Sequence, residues 1–188
     1  MIKRAENIIK KYYPEDSEAY RILVQHSLSV THLALRIARH NKHLDPDLEI
    51  IELASMLHDI GIYKTRAPEI GCHGDLPYIC HGYIGRELLE KEGLTVIAPI
   101  CERHIGVGIT KQDILDYNFP VPLRNMVPIS IEEKIICYAD KFYSKNTKHL
   151  DVPKPTDKIL KKLTKYGKQK VDIFKSFMEL FGTEYIYK

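Results

Sequence analysis

The stretch Leu57-His58-Asp59-Ile60-Gly61 sets an imidazole beside a carboxylate at the end of an apolar run with helical spacing. Working back from it, Asp45 reads as an N-cap, Pro46 as the first helical position and Ile50, Leu53, Ala54 and Leu57 as a buried face that Gly61 terminates. His58 and Asp59 then fall in the last turn of this helix. Neighbouring residues on a helix point about 100° apart, so the two cannot both face an ordinary apolar core. An unpaired buried carboxylate is heavily penalised, and a divalent cation between the two side chains removes the penalty.

Upstream, helical period continues from about Ile2 to Tyr13, where Pro14 breaks it, and resumes from Asp16 or Ser17 to about Asn41. Ile22, His26, Val30, Leu33 and Ile37 share one face of that second helix, which sets His26 in an apolar stripe. Downstream, Ile62 to Cys80 loses periodicity and gains Pro68, Gly71, Gly74 and Pro77, the pattern of a long loop over a site. Helices are expected again over about His81 to Glu92 and Thr95 to His104. After a passage broken by Pro120, Pro122 and Pro128, Ser130 and Glu133 form a capping box for a helix carrying Ile131, Ile135, Ala139 and Asp140. A lysine-rich last helix spans about 155–181, with Leu160, Leu163, Val171, Phe174 and Met178 on its apolar face. About seven helices and almost no strand-like alternation predict an all-α, single-domain helical bundle over 1–188.

The 188 residues suffice for a core without disulfide or zinc staples, so any metal is expected to be catalytic. A 44% hydrophobic and 28% charged composition is that of a globular protein, and no apolar run approaches the ~20 residues that span a bilayer. Neither a membrane partner nor a secretory leader is expected, and the predicted location is the cytoplasm. Cys72, Cys80, Cys101 and Cys137 form no C-x-x-C pair and read as reduced thiols. A net charge of +3 favours approach of an anionic substrate. The lysines at 154, 158, 161, 162, 165, 168 and 170 are interrupted by Asp157 and Asp172, have no aromatic platform, and read as a solvated helix face, with nucleic acid disfavoured.

The doublet, with His26 about thirty residues before it and Asp140 in Tyr138-Ala139-Asp140-Lys141 on a later helix, resembles the HD superfamily of metal-dependent phosphohydrolases over residues 20 to 148, and specifically its HD-I-G members. Between doublet and aspartate stand His81, in Cys80-His81-Gly82-Tyr83-Ile84-Gly85, and His104, in Arg103-His104-Ile105-Gly106, as in two-metal relatives. The resemblance implies one ion held by His26, His58, Asp59 and Asp140 and a second by Asp59, His81 and His104, with His58 and Asp59 at the catalytic centre. Imidazole and carboxylate donors favour iron or manganese, with magnesium, cobalt, nickel or zinc as other options. His73 is expected on the surface, and His32, His40, His43 and His149 as exposed or capping residues.

Such a centre implies hydrolysis of a phosphoester or phosphoanhydride, the ions lowering the pKa of a bridging water and absorbing phosphoryl charge. Lys64, Arg66, Arg86, Lys141 and Lys145 are the candidates for holding phosphate oxygens. Two departures from relatives matter: Ile62 stands where some carry a lysine three residues after the doublet aspartate, and the Gly-Tyr-Pro signature of cyclic-di-GMP phosphodiesterases is missing. The combination is similar to small bacterial and archaeal HD hydrolases, including symmetrical diadenosine-tetraphosphate hydrolases, which implies a small nucleotide-like substrate. A di-iron HD-type oxygenase and a non-catalytic metal or nucleotide sensor are the competing readings, and a homo-oligomer stays open.

Overall fold

The computed structural model describes residues 1–145 and 149–187; residues 146–148, the end of the expected family-like stretch, and residue 188 lie outside the described residues. Among the described residues there are nine α-helices and one two-stranded hairpin, an all-α architecture. No helix among them is long and apolar enough to cross a membrane.

Helix α1 (Ile2–Ile9) is followed by α2 (Glu18–His40), whose N-cap Ser17 accepts a hydrogen bond from the Tyr20 amide. The apolar stripe of α2 lies against α3 (Leu48–Leu57) and α7 (Ile131–Lys141), and this trio forms the middle of the core. Asp47, not Asp45, caps α3, accepting from the amides of Glu49 and Ile50. Asp45 instead ends a short 3-10 turn in the left-handed region at φ 52°, so Pro46 falls before the helix rather than on its first turn. At the other end, His58 is the C-cap of α3 and Asp59 lies beyond it at φ −105° and ψ 8°, one position further out than the last turn expected from sequence.

The segment after the doublet is more ordered than a loop. A 3-10 turn, Ile60–Lys64, leads into β1 (Arg66–Ala67), which pairs antiparallel with β2 (Cys72–His73). Buried Tyr13 pins the turn, its hydroxyl donating to the Ile60 carbonyl at 2.9 Å and accepting from the Tyr63 amide at 2.8 Å. Next come α4 (His81–Lys91) and α5 (Ala98–Arg103), packed on each other, and α4 also lies against the turn that carries Gly61. A Cβ on Gly61 would collide with the His81 carbonyl and the Gly85 backbone, so this glycine is what lets α4 approach Asp59.

The proline-broken passage contains an unexpected helix, α6 (Lys111–Asp116), opened by a capping box between Thr110 and Asp113. The box expected at α7 is only half formed. Ser130 accepts from the Glu133 amide, but the Glu133 carboxylate turns to the Ile129 amide and to Arg103. The expected last helix is two, α8 (Thr156–Leu163) and α9 (Lys168–Phe181), because Gly167 at φ 99° redirects the chain. One buried cluster nevertheless runs from Ala5 to Ile186, and Phe174, Phe177 and Phe181 of α9 close around Tyr138 of α7.

Candidate metal centre

His58 and His104 are the C-caps of α3 and α5, and His81 follows the 3-10 turn Tyr78–Cys80 into α4. Each turns its Nδ1 to the carbonyl three residues back: His58 to Ser55 at 2.6 Å, His81 to Tyr78 at 2.6 Å and His104 to Cys101 at 2.7 Å. A carbonyl accepts, so each Nδ1 carries the hydrogen, and in the neutral ring each Nε2 presents a lone pair. All three Nε2 atoms point at Asp59.

The two oxygens of Asp59 divide the cluster. Oδ2 lies 2.9 Å from His58 Nε2 and 3.3 Å from His26 Nε2, and those rings also face Asp140 Oδ1 at 3.6 and 3.2 Å. Oδ1 lies 3.3 Å from His81 Nε2 and 3.4 Å from His104 Nε2, which are themselves 3.3 Å apart. His26, His58, Asp59, His81 and His104 are all buried. Close approach here does not mean hydrogen bonding: His58 Nε2 and both Asp59 oxygens are buried without an aligned hydrogen-bond partner. Lone pairs facing lone pairs in a dry interior are repulsive unless a proton or cation sits among them. The orphaned donors fit divalent ions, and the two buried groups, His26, His58, Asp59 and Asp140 on one side and Asp59, His81 and His104 on the other, can each hold one.

Without an ion, the proton that relieves the facing lone pairs sits on His58. Burial disfavours a charged His58, but Asp59 and Asp140 outweigh it and raise His58 to about 9. Burial dominates at His81 and takes it down to about 3 despite the Asp59 charge. Burial alone would raise Asp59; His58 and Lys145 reverse that and hold it well below the usual carboxylate range.

Of the basic residues expected to hold phosphate, two reach the cluster. Lys145 Nζ lies 2.5 Å from Asp59 Oδ2, and Lys141 Nζ lies 2.9 Å from Asp140 Oδ2. Lys145 thus brings an ammonium to the doublet in a chain whose position 62 is a buried isoleucine. Lys64, Arg66 and Arg86 are not brought to the site. Lys64 and Arg66 are exposed and absent from the cavity wall, and Arg86 is held by Glu90 and by the buried Glu102, which also binds Arg124. His73, His32, His40, His43 and His149 are exposed, and His40 Nδ1 reaches the Arg36 carbonyl. All four cysteines are buried free thiols.

The cluster opens into a cavity of about 920 Å³, within the range of small-molecule sites. His81, His104, Asp140, Lys141 and Lys145 line one part of it. Lys154, Lys158, Lys162 and Lys170 line it too; Lys158 and Lys162 are exposed, as the solvated face predicts, whereas Lys154 is half-buried and Lys170 buried. Spacing alone does not single them out, because Lys161 and Lys165 are also four residues apart and do not line the cavity.

The model of the HD domain family matches residues 23–144. The chain belongs to the HD domain family. Among its relatives is the protein named uncharacterized protein MJ0778 of Methanocaldococcus jannaschii, 34% identical over 166 residues, covering 87% of this chain and 84% of that one. Two proteins named tRNA (cytidine(56)-2'-O)-methyltransferase are also similar. That of Thermoplasma volcanium is 30% identical over 74% of this chain, and that of Picrophilus torridus 31% over 71%; this HD chain spans only 37% and 38% of their lengths. No solved structure matches. HD proteins are generally metal-dependent phosphohydrolases, and this member keeps a buried His/Asp cluster able to hold divalent metal.

Proposed function

We propose that the protein is a two-metal phosphohydrolase acting on a phosphoester or phosphoanhydride of a small nucleotide-like substrate, in the cytoplasm. The observation that carries the reading is the division of Asp59, one oxygen toward His26 and His58 and the other toward His81 and His104, at the end of a lysine-lined cavity. His26, His58, Asp59 and Asp140 would hold one ion and Asp59, His81 and His104 the other. Divalent ions bound there supply Lewis acidity and a water acidified to near neutral pH.

The chain's own groups account for the remaining steps. The three Nδ1–H contacts fix the ring orientations before any ion arrives, which limits reorganisation during the reaction. Lys141 and Lys145 present ammonium groups beside the cluster, where they hold non-attacked phosphoryl oxygens and gain strength as negative charge accumulates. Lys145 also neutralises Asp59, so its charge is shared between carboxylate and substrate. An oxygenase or a ligand sensor would use the same donors, but the lysine-lined cavity supports a phosphorylated substrate.

The test is elemental analysis of protein purified without chelator, followed by a screen of nucleotides and sugar phosphates with manganese, iron, cobalt and magnesium. Metal-dependent phosphate release should fall at least a hundredfold in Asp59→Ala with the helical circular dichroism unchanged, beyond the roughly 10–100-fold typical of outer partners of a metal ligand. Full activity in that variant would reject the reading.

A further inference from the structure

Helix α8 and the residue that leads into it lie outside the segment 23–144 that matches the HD family. Ile159 and Leu163 are buried, which fixes the rotation of this helix, and Lys158 and Lys162, four residues apart, are left facing the cavity. Lys161 and Lys165, on the same segment, do not line it.

Lys154 links this wall to the metal cluster. Lys154 is half-buried, and among the described residues it makes no ion pair with a carboxylate. It feels the charges of Asp140, Lys141 and Lys145 beside the cluster and of Lys162 on α8. Burial, reinforced by these neighbouring lysines, lowers it to about 8, only partly offset by Asp140. Lys170 is different, because Asp113 and the Gly108 carbonyl already occupy it. Three ammonium groups on one wall of the cavity, with no carboxylate among the described residues paired to them, give that wall a positive field that favours a polyanion.

We infer that Lys154, Lys158 and Lys162 form a second phosphate subsite, separate from the metal cluster, so that the substrate carries at least one phosphoryl group beyond the one that reacts. Lysine is a point-charge partner for phosphate, suited to a chain of phosphoryl oxygens without fixed bidentate geometry. The cavity's volume fits a small molecule rather than a duplex. Tyr117 and Phe119, stacked at 5.4 Å, line the same cavity and offer an apolar face to the rest of the ligand. The inference rests on the proposed hydrolase activity only for the word substrate; the subsite stands on its own walls.

The experiment measures binding of inorganic tripolyphosphate to metal-depleted protein by calorimetry. Lys158→Gln/Lys162→Gln is compared with Lys161→Gln/Lys165→Gln, which removes the same net charge from side chains that do not line the cavity. The first pair should weaken binding by about tenfold per lysine and the second by less than about twofold. Equal weakening by both pairs, or no binding by the unmodified protein, would overturn the subsite. If the pairs separate while no phosphorylated compound is turned over with any metal, the hydrolase reading fails and the subsite survives; metal-dependent turnover with indistinguishable pairs gives the reverse.

Discussion

His81 Nε2 and His104 Nε2 face each other at 3.3 Å, with both Nδ1 atoms committed to backbone carbonyls. Neither ring can donate to the other in that state, and a cation shared with Asp59 Oδ1 would relieve the pair. His104→Ala should lower the metal content of chelator-free protein by about one ion per chain and leave the ion at His26, His58 and Asp140 in place. Elemental analysis of the variant beside the parent decides it; an unchanged ratio would remove His104 from the ligand set.

The metal-free protein should be most stable close to pH 6.5. His58 is raised from 6.5 to about 9, so its contribution is complete below 6.5 and is lost as pH rises through about 9. His81, lowered to about 3, works in the opposite direction: the unfolded chain takes up the proton first, and stability falls as pH drops from 6.5 toward 3. Asp59 and Asp140, held well below the usual range, add to the loss on the acid side. An ion needs a neutral His58, so bound manganese should extend the plateau to alkaline pH. Thermal melts of both forms across the range would show two arms without metal and a flattened alkaline arm with it; identical profiles would contradict the assignment.

Gly61→Ala should cost roughly 1–3 kcal/mol, the usual range for overpacking, because the new methyl group must displace the backbone of α4. His81 opens that helix, so the loss should extend to the metal it is expected to hold. Denaturant unfolding combined with metal analysis would show lower stability and lower occupancy together. A variant that loses neither would show that α4 can retreat without disturbing His81.

Arg86→Gln should affect the fold and not the substrate. Its guanidinium meets buried Glu102 at 2.7 Å, and losing one partner of a buried charge costs about 1–3 kcal/mol. A reduced unfolding free energy with KM unchanged for any phosphorylated substrate is the expected pattern. A large KM effect would return Arg86 to the binding site.

Much of the metal centre was legible because its donors are chemically conspicuous. His26 in an apolar stripe, a buried doublet and an aspartate on a later helix need no knowledge of loops, and the structure brings all of them together with His81 and His104. Helix α6 was hidden because six residues with only Ile114 buried carry no periodicity. Asp45 and Asp47 are equally good caps on paper, and only the left-handed turn at Asp45 separates them. Lys158 and Lys162 are exposed as read, and their place at the cavity was hidden because a lysine facing bulk water and one facing a cavity obey the same pattern. Arg86 was misplaced for a related reason: nothing local announces that Glu102, sixteen residues on, is buried beneath it.

Three imidazoles that each lean on a carbonyl three residues back give the chain a division of labour. Their aim is decided within a single turn, so it survives rebuilding of whatever stands across the cavity. Substitutions in the wall that α8 supplies therefore retune which molecules are admitted while the reactive hub keeps its shape.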